Sequence, residues 1–516
     1  MEYLFTGKAA KSVDKFCIQE IGIPSLSLME RAAHAVAVNT DKVIKKQDIF
    51  KGRKAEIVIV CGTGNNGADG IAAARMLKEM GHSCKICIVG DITKATEEFH
   101  VQYQIARHLK LEMNVCDTKA KVEKFSFADN YEEVLIVDAL FGIGLSRDVE
   151  GIYYQMISKM NGQKSFVIAV DIASGLNSAN GKVMGIAVVA DITVTFGKMK
   201  AGQLLCDGYE YSGRVIIEDI GFVKKAYNNV LDELKEDVFV YHTMDDLRKI
   251  PKRKKTSHKG TYCNVNLIGA GESMSGAAVL AGMAAYRCGA GLVKIYAKES
   301  NTEVIRTLVK EAIVNDYSAF DIDEKDKNKD IIIVGPGLGT VGEAIKQVEK
   351  VLDTDCKIVI DADALNLISM NKILLSKFGE NIVITPHLKE MSRLIEKDVS
   401  YIRENMIECA REFSLKYGCT TVIKDAATVV SSPQGNIRIN TTGNSGMSKG
   451  GSGDVLSGII AGLVTQNLGV FEAASLGVYL HGLAGDLAAE RKSEYSMTAS
   501  DIIEAIPEIM KKKESM

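Results

Sequence analysis

The residues best arranged for chemistry lie in Gly443-Asn-Ser-Gly-Met-Ser-Lys-Gly-Gly-Ser-Gly-Asp454, which runs straight into an apolar segment. Glycines let the main chain approach a ligand closely and take up φ > 0. The helix expected to begin at Asp454 adds unpaired N–H groups and a partial positive charge. Together they make an anion site suited to phosphate. A carboxylate beside a phosphate is costly unless it caps the helix or takes a proton from a nucleophile, and both roles are open to Asp454. The run lacks P-loop spacing.

A second constellation is Gly62-Thr-Gly-Asn-Asn-Gly-Ala-Asp-Gly70, between an apolar strand pattern at 56–61 and a helical one at 71–80. Gly62-x-Gly64-x-x-Gly67, with Asp91 at the end of the next strand, fits a dinucleotide fingerprint. A Rossmann oxidoreductase therefore competes on spacing. Against it stand Asn65, Asn66 and Asp69, in a turn where hydride-transfer domains need only small residues. Two further strand ends carry acids among glycines, Asp138-Ala-Leu-Phe-Gly-Ile-Gly144 and Asp171-Ile-Ala-Ser-Gly175. In a doubly wound sheet these three ends can face one crevice, where carbonyls, hydroxyls and carboxylates suit a hard cation beside a phosphate.

The elements that must position these residues alternate regularly. Helices are expected over 8–39 with a break at Gly22-Ile-Pro24. Strands follow at 56–61, 85–89, 133–138, 165–170, 191–195 and 214–218: a doubly wound α/β domain, binding beyond its strand C-termini. From 224 to 257 the rhythm fades into charge. It restarts with strands at 264–268, 292–296, 330–334, 357–360, 381–384 and 420–423, and a hairpin around Ser432-Pro-Gln-Gly435. Helices from Asp454, Glu472 and Thr498 close a second α/β domain, a three-layer sandwich.

The chain has 516 residues, enough for two cores, and its net charge of −3 exerts no general pull toward nucleic acid or membrane. Lys252-Arg-Lys-Lys255 reads as a solvated linker. No signal peptide and no apolar run of membrane-spanning length is found. The eleven cysteines sit mostly singly on apolar segments, which points to reduced thiols in a cytoplasmic protein. Cys84 and Cys87 lie three apart on a strand, hence on opposite faces, which argues against a metal or redox pair.

The Gly-Ser-Gly-Asp454 run resembles the signature of ribokinase-like kinases, and the longer form, Asn444 to Gly458, looks most like the nucleotide-dependent NAD(P)H-hydrate dehydratase family. Also in keeping are His258-Lys-Gly-Thr-Tyr-Cys263, Gly276-Ala277, Gly335-Pro-Gly-Leu-Gly339, Thr385-Pro-His387 and Lys424-Asp-Ala-Ala-Thr428. By this resemblance Ala277, Gly337, His387 and Asp454 face the hydrate, and Lys424, Asp425, Ala426, Ala427, Thr428 and Gly453 face the nucleotide. Asp425 replaces the usual Gly, and an acid there repels phosphates unless it turns outward. The first half resembles the NAD(P)H-hydrate epimerase domain. The resemblance implies substrate contacts from Asn65, Asn66, Gly67, Ala68 and Asp69, and from Gly142, Ile143, Gly144, Leu145, Ser146, Arg147 and Asp148. It implies a potassium ion on Asn66, Asp138 and Ser174, and Asp171 near the chemistry. Ala68 and Ala173 replace the family's usual Gly and Pro.

The implied fold is a Rossmann-like doubly wound domain over 1–222, a linker over 223–257 and a ribokinase-like α/β/α domain over 258–516. The implied function is repair of hydrated NADH and NADPH: the first domain interconverts the R and S hydrates, and the second dehydrates the S hydrate. ADP is the co-substrate, giving AMP and phosphate, with K⁺ in the first domain and Mg²⁺ in the second. Asp171 and Asp454 are the expected catalytic groups, partners are small molecules, and a homo-oligomer is expected. Two other readings compete. One is a ribokinase-like kinase of the hydroxymethylpyrimidine or hydroxyethylthiazole type fused to a regulatory domain. The other is a protein whose first domain only binds a macromolecular partner.

Overall fold

A computed structural model describes residues 1–46, 55–127, 133–258, 261–272, 274–321 and 330–515. Lys259 and Gly260 of the His258–Cys263 motif lie outside the described residues. The chain forms two compact units, Tyr3–Phe239 and Val240–Met516 with Met1–Glu2.

The first unit is built on seven parallel strands in the order Glu112–Cys116, Ser83–Val89, Ala55–Cys61, Glu133–Ala139, Phe166–Val170, Ile192–Phe196 and Arg214–Glu218. Chain order reverses between Ala55–Cys61 and Glu133–Ala139, and in such sheets the crevice beyond that point is where ligands bind. Both faces are covered, so the strands read as continuous apolar runs. Ile57, Ile59 and Cys61 enter one core, Val58 and Val60 the other. Cys84 and Cys87 likewise divide between the two cores, as their spacing requires.

In the second unit, the order from one edge is Ile313–Asp316, Leu292–Ala297, Asn264–Ile268, Ile331–Val334, Lys357–Ile360, Ile382–Ile384 and Thr420–Ile423, all parallel. The antiparallel hairpin Val429–Ser431 and Ile437–Ile439 follows, then Val238–Tyr241 and Glu2–Phe5 complete an eleven-stranded sheet. One face packs on the helices Ser275–Arg287, Ser452–Val464, Val470–Lys492 and Ala499–Ser515. Gly458 lets two of them touch, since a Cβ there would lie 2.1 Å from the Ala281 carbonyl oxygen.

The stretch 223–257 is shared between the units. The helix Lys224–Glu233 buries Ala226 and Val230 beside Phe5 and Val13, and Leu247 and Ile250 enter the core of the second unit. Two apolar residues four apart suffice to seat a helix, and the surrounding charge hides them in the sequence. The structure adds strands Glu2–Phe5, Glu112–Cys116, Val238–Tyr241 and Ile313–Asp316, which the sequence pattern does not mark. Three of them carry charged or polar residues among short apolar pairs and lie at or next to a sheet edge.

Two candidate active sites

The helix after strand Ala55–Cys61 runs Asn65–Glu79, six residues earlier than the apolar pattern indicates. Its first two turns are therefore the polar residues themselves, on an end whose Gly64 N-cap supplies no side-chain bond. Asn65, Asn66 and Asp69 line a cavity of about 610 Å³, as do Gly142, Ile143, Gly144, Leu145, Ser146, Arg147 and Asp171. Gly67, Ala68 and Asp148 are not among the lining residues. Gly67 is needed because a Cβ there would meet the Gly62 carbonyl oxygen at 1.8 Å. Ala68 is fully buried, its φ is not positive, and its added methyl is accommodated in the core. Asp148 is exposed. Ala173 is buried in the core on the sheet's other face.

Asp138 is fully buried at its strand end. It accepts from Ser174 Oγ at 2.7 Å, Ser174 N at 2.8 Å and Leu140 N at 3.2 Å. Burial pushes its carboxyl up to about 6 against these bonds. Asp171 has φ +66°, the left-handed region, and pairs with Lys200 through Oδ1. Asp69 and Asp14 are both raised above the usual carboxylate range, first by burial and then by the charge of Asp171. Asp91 does not join them. It caps the 3₁₀ turn Ile92–Lys94, accepting from Thr93 N at 3.0 Å, so the acid that completes the dinucleotide spacing is a turn residue.

In the second unit the glycine turn ends on the helix Ser452–Val464, whose N-cap is Gly451 at φ +92°. Asp454 is the third helical residue and makes no capping bond, which removes the plain-cap role. Among the described residues its side chain has no hydrogen-bond or ion-pair partner. Burial, then the charges of Asp361 and Asp363, push its carboxyl up to about 7, with Lys424 opposing.

Asp361 organises the surroundings. It is 1% exposed and accepts from Lys424 Nζ at 2.9 Å and Ser457 Oγ at 2.6 Å. Burial lowers the Lys424 pKa, but Asp361, Glu390 and Asp454 outweigh it and leave the ammonium raised. Gly453 gives that ammonium access to the helix start, since a Cβ there would lie 3.2 Å from Lys424 Nζ. Next along, Asp363 accepts from Gly339 N at 2.8 Å and so ties the Gly335–Gly339 turn to the same strand end. Gly337, at φ +62°, packs against Ala277, its added Cβ falling 3.3 Å from that of Ala277.

His387 caps the helix Leu388–Ile395. Its Nδ1 accepts from Lys389 N at 3.0 Å and Glu390 N at 3.2 Å, which leaves the proton on Nε2. Burial, then Lys424, lower its pKa. Asp425 lies 3.7 Å from Arg403, which offsets its charge. Beyond it Ala426 is exposed, Ala427 buried, and Thr428 Oγ1 donates to the Asp425 carbonyl at 3.4 Å.

Comparison with known proteins decides the family. Residues 265–508 match the NAD(P)H-hydrate dehydratase family, and residues 25–202 match the family described as YjeF-related protein N-terminus. The bifunctional NAD(P)H-hydrate repair enzyme of Thermofilum pendens is 32% identical, covering 97% of this chain and 95% of its own. That of Escherichia coli K12 is also 32% identical, over 88% of this chain and 84% of its own. The chain belongs to the bifunctional NAD(P)H-hydrate repair enzymes. Among solved structures, the ADP/ATP-dependent NAD(P)H-hydrate dehydratase of Bacillus subtilis, co-crystallised with ATP/Mg²⁺, is 28% identical. It covers 53% of this chain and 99% of its own, with a TM-score of 0.48.

Membership in this repair family leaves four site residues that no motif had marked: Lys200, Asp14, Asp361 and Asp363. The two lysine–aspartate pairs join residues 29 and 63 positions apart, beyond any short pattern. Asp361-Ala-Asp363 at a strand end was the one available signal, because acids at such ends face the crevice.

Proposed function

We propose that Asp454 is the base of the dehydratase and Asp171 the acid–base group of the epimerase. The observation that carries the first assignment is a carboxylate with no partner among the described residues, raised to about 7, in the first turn of a helix entered through a glycine turn. A general base works best with a pKa near the working pH. Hydroxide is a poor leaving group and phosphate a good one. Asp454 takes the proton from the hydrate's hydroxyl as its oxygen attacks the donor's terminal phosphorus. The main-chain amides of Gly450–Gly453 and Lys424 stabilise the phosphoryl charge. Phosphate then leaves, pushed by the ring nitrogen, and loss of a ring proton restores the dihydronicotinamide.

The other epimer does not present its hydroxyl to the phosphate. In the first unit its carbon–oxygen bond breaks as the hydroxyl leaves with a proton as water, while the nitrogen lone pair forms a C=N bond. Water adds to the opposite face and the proton returns, so nothing is consumed. Asp171 handles that proton in the cavity.

Asn66, Asp138 and Ser174 fit a potassium ion. Asn66 Nδ2 is buried without an acceptor, and an amide so placed offers its oxygen when turned over. Asp138 carries a buried charge with no basic partner among the described residues. A bound potassium ion supplies positive charge beside the substrate's phosphates. For Mg²⁺, no group of three or more His, Cys, Asp or Glu is placed to hold a metal among the described residues. Mg²⁺ would be carried mainly by the nucleotide's phosphates, with Asp363 the carboxylate proposed to meet it.

ADP is the proposed donor and the chain works as a homo-oligomer. Its free cysteines, ten of eleven buried, support a reducing compartment. Among the described residues no helix is long and apolar enough to cross a membrane. The deciding experiment follows recovery of reduced-nicotinamide absorbance from hydrated cofactor with ADP or ATP. Accumulation of a stable phosphorylated product without recovery would establish the small-molecule kinase instead.

A further inference from the structure

The segment after strand Ile192–Phe196 belongs to neither glycine motif, yet it encloses Asp171. Lys200 is 1% exposed and pairs with Asp171 Oδ1. Its other protons go to Thr195 Oγ1 at 2.7 Å and the Phe196 carbonyl at 3.2 Å, which uses all three. Thr195 Oγ1 at 3.1 Å and Phe196 N at 3.3 Å also donate to Oδ1, so among the described residues the side-chain hydrogen bonds of Asp171 fall on one oxygen. The main chain is held as firmly. Asp171 N donates to the Val194 carbonyl at 2.8 Å, and the fully buried Gln203 donates through Nε2 to the Asp171 carbonyl at 2.9 Å. Gln203 Oε1 in turn accepts from Lys200 N at 2.8 Å.

This arrangement exceeds what packing requires. A non-glycine residue at φ +66° is strained unless its surroundings hold it. A buried ion pair is by itself weak support for a fold. Together they lock a single side chain that lines the cavity. We infer that Lys200 and Gln203 are positioning residues of the epimerase, Lys200 fixing the carboxylate by Oδ1 so that Oδ2 meets the hydrate, and Gln203 holding the backbone that aims it. The inference rests on the reading of Asp171 as the acid–base group.

The test uses the full chain without nucleotide, so that only epimerisation runs, with the two hydrate epimers separated chromatographically. Lys200→Ala should lower epimerase kcat roughly 10²-fold while KM changes less than about twofold, since orientation acts on the reacting geometry. Dehydratase turnover of the same protein should match the parent. Ethylammonium should restore much of the lost rate, because the missing ammonium opens onto the cavity; a purely structural lysine would show no such rescue. Gln203→Ala should also lower kcat, without ethylammonium rescue. If Lys200→Ala loses the thermal transition of the first unit, Thr195→Val removes one Oδ1 donor instead, and kcat should fall several-fold at constant KM. Parental kcat in these variants, or a loss in Lys200→Ala that ethylammonium leaves untouched, overturns the inference. Asp171→Asn separates the two claims. If it is inactive while Lys200→Ala and Gln203→Ala are parental, only the positioning roles fail; if it keeps its rate, the reading of Asp171 fails first.

Discussion

Each unit carries a lysine–aspartate pair with one fully buried partner at a strand end, and the two pairs differ in which partner it is. In the first unit Lys200 pairs with Asp171 itself, so the paired carboxylate is the one that lines the cavity. In the second, Lys424 pairs with Asp361, and Asp454, in the first turn of the helix behind the glycine run, has no partner of its own among the described residues. The consequence is chemical. A carboxylate anchored through one oxygen has a fixed direction and is suited to moving a proton at a defined point on a bound ring. A carboxylate left unpaired near a second buried acid is pushed up, here to about 7, and becomes a base able to strip a hydroxyl. On the proposed roles of Asp171 and Asp454, one pairing motif would orient the acting carboxylate in one place and tune a neighbouring one in the other.

The contrast is broken most directly at Asp454. Asp454→Asn keeps the shape and removes no cap, because Gly451 holds the cap position. Dehydratase kcat should fall roughly 10²-fold or more, with epimerase activity unchanged. Stopped assays of both activities on one preparation decide it, and near-parental dehydration would end the base assignment.

Asp171→Ala tests the other half. Given both epimers and ample nucleotide, the parent protein should restore nearly all the cofactor in one phase. The variant should restore the reactive epimer quickly and then slow to the spontaneous epimerisation rate, about 10²-fold below the enzymatic one. A single complete phase would mean that Asp171 is not the group that works in the cavity.

These assignments show what the sequence makes legible. The parallel strands and both glycine turns are visible, because buried strands run continuously apolar and glycine turns interrupt them. Element starts are less visible where function displaces apolar residues. The helix at Asn65 opens on two asparagines and that at Ser452 on Ser-Gly, so the apolar pattern places both starts late, and Asp454, expected at the helix start, is the third residue. Lys200 and Asp361 are illegible for another reason. Their meaning lies in partners brought together by strand order, and no local pattern encodes that. Asp91 shows the converse: its spacing suits a ribose ligand, but Thr93 two residues on satisfies it locally.

A milder change probes the tuning itself. Dehydration should rise as pH climbs through about 7, because Asp454 accepts a proton only when ionised. Asp361→Asn removes a like charge that raises Asp454 and frees Lys424, which opposes it; both effects lower its pKa. The acid limb of kcat should move to lower pH, and the plateau should fall about tenfold as the base weakens and Lys424 loses its anchor. An unmoved limb with a lower plateau would mean that Asp361 serves only to hold Lys424.

The smallest effect concerns Asp425, where the family usually has glycine. Arg403 stands 3.7 Å from it, both side chains being partly exposed, 43% and 26%. Such a pair is worth about 0–1 kcal/mol, so Arg403→Ala should raise the nucleotide KM by no more than about fivefold. The increase should be larger for ATP than for ADP, since ATP brings one more negative charge to the uncovered carboxylate. Asp425→Gly should move the balance the other way and improve ATP relative to ADP. The ratio of kcat/KM for the two nucleotides reads both variants. If Asp425→Gly leaves that ratio at the parent value, the acid points away from the phosphates, and the donor preference must come from Lys424 and the glycine turn.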